Sequence, residues 1–383
     1  MAEHCKTILI SAGEASGDAH AACMVKALRK LDPQIKFVGM GGDNMAAADV
    51  EIITDIKKMA VVGLVEVLLK YRSIKAELLH LQNYIVQHTP DLLILVDYQE
   101  FNQRLAAFAR KQGVKVLFYI GPQVWAWRPE RVYKMATIVD HIAVILPFEV
   151  DYYKQANVPV TFTGHPLTDQ VIADKTPLQA QKQLALADKT TVGLFPGSRS
   201  TEIKRILPIL LESAALLRQQ QPEIQFVLPL ASTICQTELA PFSVKLQQLN
   251  VHIINNRFYT VSQACHVIIT ASGTATLEIT LLGIPMVIVY KISPLSYFIL
   301  HRLVKVKHLG LMNIIANKEI VKEFIQQKAQ PKNIANETLR LLNDSDYNKT
   351  MRHELSLIRK QLGSGNGCKN IARLAWQLVN EKE

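Results

Sequence analysis

The chain has 383 residues, long for one hydrophobic core, so two domains are expected. Hydrophobic residues at 49% and charged residues at 20% exclude a disordered chain, and no apolar run approaches the roughly 20 residues a membrane-spanning helix needs. A formal charge of +10, from 43 Lys and Arg against 33 Asp and Glu, favours anionic partners: nucleic acid, acidic lipid or phosphorylated metabolites.

The opening residues, MAEHCKTILI, hold no charged-then-apolar leader that closes on small residues, so no export signal is expected. Cys5, Cys23, Cys235, Cys265 and Cys368 are scattered, odd in number and without a C-x-x-C pair. That usage points to a reducing cytoplasm and to no structural zinc. Strands are predicted in KTILISAG, IKFVGM, DLLILVD, VKVLFYIG, HIAVIL and VTFTG, then in TTVGLFPGS, IQFVLPL, VHIIN, HVIITASG and PMVIVY. Continuous apolar strands separated by helical patterns indicate parallel sheets covered on both faces. The pattern occurs twice, around a Pro-, Gly- and polar-rich stretch at 164–177. The expected fold class is α/β: two doubly wound Rossmann-like domains facing a central cleft. An N-terminal domain covers 1–168 and a C-terminal one 169–365; the helix at 366–383 could dock on either, including a return to the first.

Ligands of such sheets sit beyond the C-terminal strand ends, and the chemically interesting motifs fall there. SAGEASGD (11–18) follows the first strand and offers Glu14, Ser16 and Asp18 to a substrate, although Asp18 would also serve as a helix cap. It lacks the G-x-G-x-x-G dinucleotide fingerprint. LLILVDYQEFN delivers Asp97 to the end of an apolar strand, where a low local dielectric raises a carboxylate toward general-base use. GPQVWAWRPER places Trp125, Trp127 and Arg128 after another strand, as core packing or as a wall for an acyl or sugar group.

In the second half, FPGSRSTEI offers the amides of Gly197 and Ser198 to a phosphate, with Arg199 as a charged clamp. TASGTATLEITLLG supplies small residues, Ser272, Gly273, Thr274 and Thr276, at a helix start, with Glu278 in the following turn. Unpaired N–H groups there suit a diphosphate, and the carboxylate suits a sugar hydroxyl. No G-x-x-x-x-G-K-[ST] loop exists, and neither the His spacing nor Asp344-Ser345-Asp346 suggests a metal site. Two stretches concern surfaces: the first reads equally as a buried core helix or as a lipid-facing one, and the second as lipid- or acyl-phosphate-facing. Residues 60–75 combine Leu64, Val67 and Leu68 with a basic rim, and 293–310 combine apolar residues with Arg302, Lys305 and Lys307.

AGEASGD, PQVWAWR, LPFE (146–149), PGSR and ASGTATLE, in this order and at these distances, resemble lipid-A-disaccharide synthase along essentially the whole chain. The resemblance implies the glycosyltransferase-B fold and a peripheral enzyme on the cytoplasmic face of the inner membrane of Gram-negative bacteria. The implied reaction joins UDP-2,3-diacylglucosamine to 2,3-diacylglucosamine 1-phosphate (lipid X), with inversion, giving a β-1,6-linked disaccharide 1-phosphate and UDP. It implies no metal and no cofactor, an anionic membrane surface as partner, and leaves a homodimer open. Carried over by position, Asp97 matches the base, Arg199 the arginine of PGSR, Glu278 the ribose-facing glutamate, and Asn313 an asparagine near the nucleotide. The family's D-x-P-D-F-N is here Asp97 followed by Tyr98-Gln99-Glu100-Phe101-Asn102, and its L-P-N-L is Leu311-Met312-Asn313-Ile314. Both departures bear on the acceptor loop and acyl preference.

Two other functions fit parts of the pattern. A UDP-sugar 2-epimerase would use the same cradle but no second, acylated substrate. A nucleic-acid-binding protein would use the positive charge alone and lose affinity steeply with salt. The expectation is a nucleotide-sugar enzyme that binds no nucleic acid.

Overall fold

The computed structural model of the chain describes residues 5–58, 64–122, 125, 129–293 and 307–381, those at 58, 64–71 and 129 by backbone alone. Contacts divide it into two units, Met1–Asp169 with Leu362–Glu383, and Gln170–Gln361. The break after Asp169 falls within the predicted linker.

The first unit is a seven-stranded parallel sheet of order β3-β2-β1-β4-β5-β6-β7. Its strands are β1 (Thr7–Ala12), β2 (Lys36–Gly41), β3 (Glu51–Asp55), β4 (Leu92–Val96), β5 (Lys115–Tyr119), β6 (His141–Val144) and β7 (Val160–Phe162). Alternate side chains of β4 enter opposite layers. Leu92, Ile94 and Val96 pack with Met24, Val25 and Leu28, while Leu93 and Leu95 pack with Leu81, Phe101 and Leu105. A strand apolar at every position therefore lies between two helical layers.

The second unit is a six-stranded parallel sheet of order β10-β9-β8-β11-β12-β13. It comprises β8 (Thr191–Phe195), β9 (Gln225–Leu230), β10 (Val251–Asn255), β11 (Val267–Ala271), β12 (Met286–Tyr290) and β13 (Glu323–Ile325). The central strands β8 and β11 are buried throughout, and the edge strand β10 is mostly exposed.

The terminal helix Gly367–Asn380 belongs to the first unit, where it packs on helix Ala15–Arg29. Its Ile371, Ala372 and Ala375 complete one core layer. Asp169 caps it, accepting from the backbone N–H groups of Gly367 (3.2 Å) and Cys368 (2.8 Å). The returning chain starts at Leu362, whose carbonyl accepts from the N–H of His165 at 2.8 Å.

That return corrects the expectation of unpaired thiols drawn from the scattered cysteines. Cys23 and Cys368, 345 positions apart in sequence, form a disulfide; Cys5, Cys235 and Cys265 are free. Sequence spacing carries no trace of a pair made only when the last helix packs on the first. The bond ties the first helix to the last, with Cys368 buried and Cys23 half-buried. Thiol titration of the unfolded, unreduced protein should find three thiols, rising to five after reduction. Five in both conditions would remove the bond.

Candidate functional site

Each sheet has one topological switch point, where successive strands leave in opposite directions and the loops beyond the strand ends diverge. In the first unit it lies between β1 and β4, and in the second between β8 and β11.

Beyond β4, Asp97 and Tyr98 have φ of 51° and 50°, and Ile120, just beyond the neighbouring β5, has 59°. Non-glycine residues in this left-handed region are strained, and a β-branched one especially so. Asn102, fully buried, holds the turn. Its amide donates to the Asp97 carbonyl (2.7 Å) and the Ser11 carbonyl (3.2 Å), while its oxygen accepts from the Ser11 hydroxyl (2.6 Å). The β1 loop closes from the other side. A Cβ on Gly13 would come within 2.2 Å of the Tyr98 ring, so glycine is required there. Burial, reinforced by the negative charge of Glu14, holds the Asp97 carboxyl above the usual carboxylate range, against the pull of the Tyr98 N–H. A partly buried carboxylate of raised basicity on a braced turn is suited to take a proton.

Other residues of this unit have structural employment. Glu14 and Ser16 are exposed. Asp18 is not: it is 2% exposed, and its carboxylate accepts from the N–H groups of Gly42 (2.7 Å), Asn44 (3.0 Å) and Met45 (3.1 Å) and from the Asn44 amide (2.9 Å). It fastens the short helix Asp43–Ala46 rather than a substrate. Glu100 pairs on the surface with Arg131 at 2.8 Å. Trp125 is core, edge-on to Phe148 at 5.0 Å, and its indole N–H donates to buried Glu149 at 3.0 Å. The PQVWAWR and LPFE stretches are thereby joined. Trp127, Arg302 and Lys305 lie outside the described residues, as do the side chains of Leu64, Val67 and Leu68 on helix Leu64–His88; Lys307 is exposed.

In the second unit the loops after β8 and β11 share one edge. Gly273, with nothing within 4 Å of where a Cβ would stand, precedes helix Thr274–Leu281. The first N–H groups of that helix have no partner within it, and Gly273 and Thr274 are exposed, so an anion has room to dock. Half-buried Ser272 spends its N–H on the Val289 carbonyl (3.2 Å). Thr276 is buried, and its hydroxyl donates back to the Gly273 carbonyl at 2.7 Å; it shapes the cradle instead of lining it. Glu278, one turn into the helix, accepts from the Tyr259 hydroxyl at 2.7 Å, and burial raises its carboxyl.

The β8 loop differs from expectation. Gly197 is left-handed (φ +112°), and the N–H groups of Ser198 (2.9 Å) and Arg199 (3.2 Å) already donate to the Glu202 carboxylate. A carboxylate thus takes the loop amides assigned to a phosphate. The Arg199 guanidinium stands 3.6 Å from the same carboxylate, its side chain 76% exposed. Asn313 is also committed. Fully buried, its amide donates to the Val321 carbonyl and to Glu323 (2.7 Å each), and its oxygen accepts from the N–H groups of Ile320 (2.9 Å) and Val321 (3.0 Å). It braces the approach to β13, leaving Arg199, the Gly273–Thr274 turn and Glu278 as the candidate ligand groups. A cavity of about 520 Å³, lined by Thr190, Ile224, His266 and Arg352, opens near the strand starts, the opposite edge of the sheet. Topology and chemistry, not cavity size, locate the site.

Sequence reasoning held Asn102, like Glu100, only as a weaker candidate of the Asp97 loop, and missed Glu202 and Tyr259. Only Glu202 left a signal, three residues after the helix cap, the spacing of a capping box.

Two doubly wound parallel sheets with polar loops at their switch points define the class, a glycosyltransferase-B-type enzyme. The chain belongs to the lipid-A-disaccharide synthetase family, whose model matches residues 8–376. It is 48% identical to the lipid-A-disaccharide synthase of Trichlorobacter lovleyi, over 98% of both chains. It is 46% identical to that of Geobacter metallireducens, again over 98% of both. Among solved structures, the UDP-GlcNAc 2-epimerase from Neisseria meningitidis bound to UDP-GlcNAc shares the fold. Its TM-score is 0.64 at 14% identity, covering 97% of this chain and 100% of that one. The chain is a glycosyltransferase. Among the described residues, no helix is long and apolar enough to cross a membrane.

Proposed function

We propose that this enzyme transfers 2,3-diacylglucosamine from UDP-2,3-diacylglucosamine to lipid X, forming a β-1,6 lipid A disaccharide 1-phosphate and UDP with inversion. The observation that carries the reading is the family match over residues 8–376. The N–H groups at the start of helix Thr274–Leu281 and the Arg199 guanidinium hold the diphosphate, and Glu278 accepts from the ribose hydroxyls. Preorganised donors of this kind stabilise the negative charge that grows on departing UDP. Asp97 takes the proton from the acceptor's 6-hydroxyl as its oxygen bonds to the anomeric carbon and the bond to the UDP oxygen breaks. One displacement inverts the configuration. The raised basicity of Asp97 supports its role. The protein groups supply the charge neutralisation, with no cofactor. The enzyme works at the cytoplasmic face of the inner membrane, with acyl chains near positions 64, 67 and 68 and near Arg302, Lys305 and Lys307.

Incubation with both acylated substrates, with and without a chelator, tests the reading. UDP should appear only when lipid X is present, alongside a β-1,6-linked disaccharide. UDP released without acceptor, or an epimerised sugar, would overturn it. In the same assay Arg199→Ala should weaken UDP binding about tenfold to a hundredfold, the usual worth of a charge-assisted hydrogen bond. Unchanged affinity would take Arg199 out of the site.

A further inference from the structure

The assignment of Arg199 to a diphosphate raises a difficulty at Glu202. A site for an anion should not contain a second anion, yet Glu202 stands on it. Its Oε2 accepts from the Ser198 and Arg199 N–H groups, and its Oε1 is 3.6 Å from the Arg199 guanidinium. The carboxylate lies against the backbone of the loop, since a Cβ on Gly197 would meet Oε2 at 2.2 Å. It has this place because it is three residues into helix Ser200–Gln220, where the first N–H groups and the helix dipole favour negative charge. The loop has a second, independent tie, for the Thr233 hydroxyl donates to the Ser198 carbonyl at 2.7 Å. Holding the loop therefore does not require a charge at position 202; a neutral acceptor would serve the same N–H groups.

The charge has a different consequence. Between β8 and β11 the strands are hydrogen-bonded neighbours, so the Arg199 loop and the Gly273 turn sit at the same sheet edge. Tyr290, at the end of the next strand β12, feels both Arg199 and Glu202; after burial, the negative charge of Glu202 is the largest influence raising its hydroxyl. The Glu202 charge thus reaches beyond its own loop, to the end of β12.

Resting on the UDP-sugar reading above, we propose that Glu202 is an internal counter-anion that sets how tightly the nucleoside diphosphate is held. While the site is empty, it satisfies the loop amides and neutralises Arg199. When a diphosphate occupies the site, Glu202 shares Arg199 with it and repels it, and the repulsion hastens departure of UDP. Glu202 is a positioning residue, acting through Arg199 and touching no reacting atom.

The test is UDP titration by calorimetry on the full chain, wild type beside Glu202→Gln, with UDP product inhibition and kcat measured on the same preparations. Glutamine keeps an acceptor for the loop amides but removes the charge. Glu202→Gln should bind UDP about threefold to tenfold more tightly, the scale expected of one partly screened charge at this distance. The UDP inhibition constant should fall in parallel, and kcat should fall wherever UDP release limits turnover. Glu202→Ala, which loses the acceptor as well, should bind UDP more weakly than Glu202→Gln. If wild type binds UDP while Glu202→Gln binds it equally or more weakly with an unchanged melting temperature, Glu202 is only a helix cap and the proposal falls. If Glu202→Gln melts early, the comparison passes to Glu202→Asp, which keeps the charge, and Glu202→Ala, which removes it: Glu202→Asp must bind UDP more weakly than Glu202→Ala, or the proposal falls likewise. Wild type that does not bind UDP overturns the underlying reading itself.

Discussion

Asp97→Asn should lower turnover by about 10²–10⁴, the usual worth of a positioned general base. The same substitution should leave the first unit as stable as before, or more so. Both halves of that expectation come from one cause. Burial and the nearby Glu14 charge raise the Asp97 carboxyl above its ordinary range, so the folded state prefers the protonated form. For a group shifted in that sense, the stabilising contribution is present at pH below the unfolded value and is lost as pH rises through the folded one. Once ionised, Asp97 therefore opposes folding, and an uncharged amide removes the opposition. The one bond the turn makes to the carboxylate, from the Tyr98 N–H, is one that an amide oxygen also accepts. Asn102 holds the Asp97 carbonyl, and the Asp97 N–H donates to the Tyr119 carbonyl at 3.2 Å. An aspartate kept only to cap a turn would behave in the opposite way, costing stability on replacement and sparing activity. Steady-state kinetics and a melting curve on one sample decide. Near-normal kcat would take Asp97 out of the base role.

The contrast between Asp97 and Asp18 shows what a sequence can and cannot reveal here. Both are aspartates near the ends of apolar strands, and both read as substrate-facing. Asp97 lies on the strand's own axis, one residue past five apolar positions, so its placement at the sheet edge follows from local pattern alone. Asp18 is fixed by Gly42, Asn44 and Met45, more than twenty positions away, and nothing near it in sequence announces them. Thr276, suggested by residue type, and Asn313, suggested by the resemblance alone, are likewise spent within the protein, on the Gly273 carbonyl and on Ile320, Val321 and Glu323. The central strands were legible because burial on both faces writes itself as unbroken apolar runs. The two strands that reading omitted, β3 and β13, are edges, short and only half-buried, with Glu51, Asp55 and Glu323 among their residues. The disulfide lies furthest from reach, since it depends on a helix returning from the far end of the chain.

Glu149→Gln should change how the first unit's stability varies with pH more than its stability at any single pH. Glu149 is 2% exposed and accepts from the Trp125 indole and from the Leu146 N–H at 3.1 Å. Those bonds favour the ionised form, yet burial outweighs them and carries the carboxyl up from 4.5 to about 7. With the folded value raised, the contribution of Glu149 is fully present below about pH 4.5 and is lost as pH climbs toward 7. A shift of that size corresponds to about 3 kcal/mol across the window. His20 and His165 work in the opposite direction. Burial lowers them from 6.5 to about 4 and about 3, so their contribution is present above 6.5 and lost as pH falls. The wild-type curve alone would therefore mix two opposed trends, but the difference between wild type and Glu149→Gln cancels the histidines. Glutamine offers one acceptor oxygen where the carboxyl offers two, leaving a buried donor short of a partner, so the variant should be the less stable protein at pH 5. By pH 8 the wild type has lost its contribution, and the gap should close by about 3 kcal/mol. All three tryptophans lie, in sequence, within the ranges of the first unit, so urea unfolding followed by indole fluorescence reads that unit without the second. A gap that stays constant between pH 5 and pH 8 would mean that Glu149 keeps an ordinary carboxyl and that its tie to Trp125 is a charged one throughout.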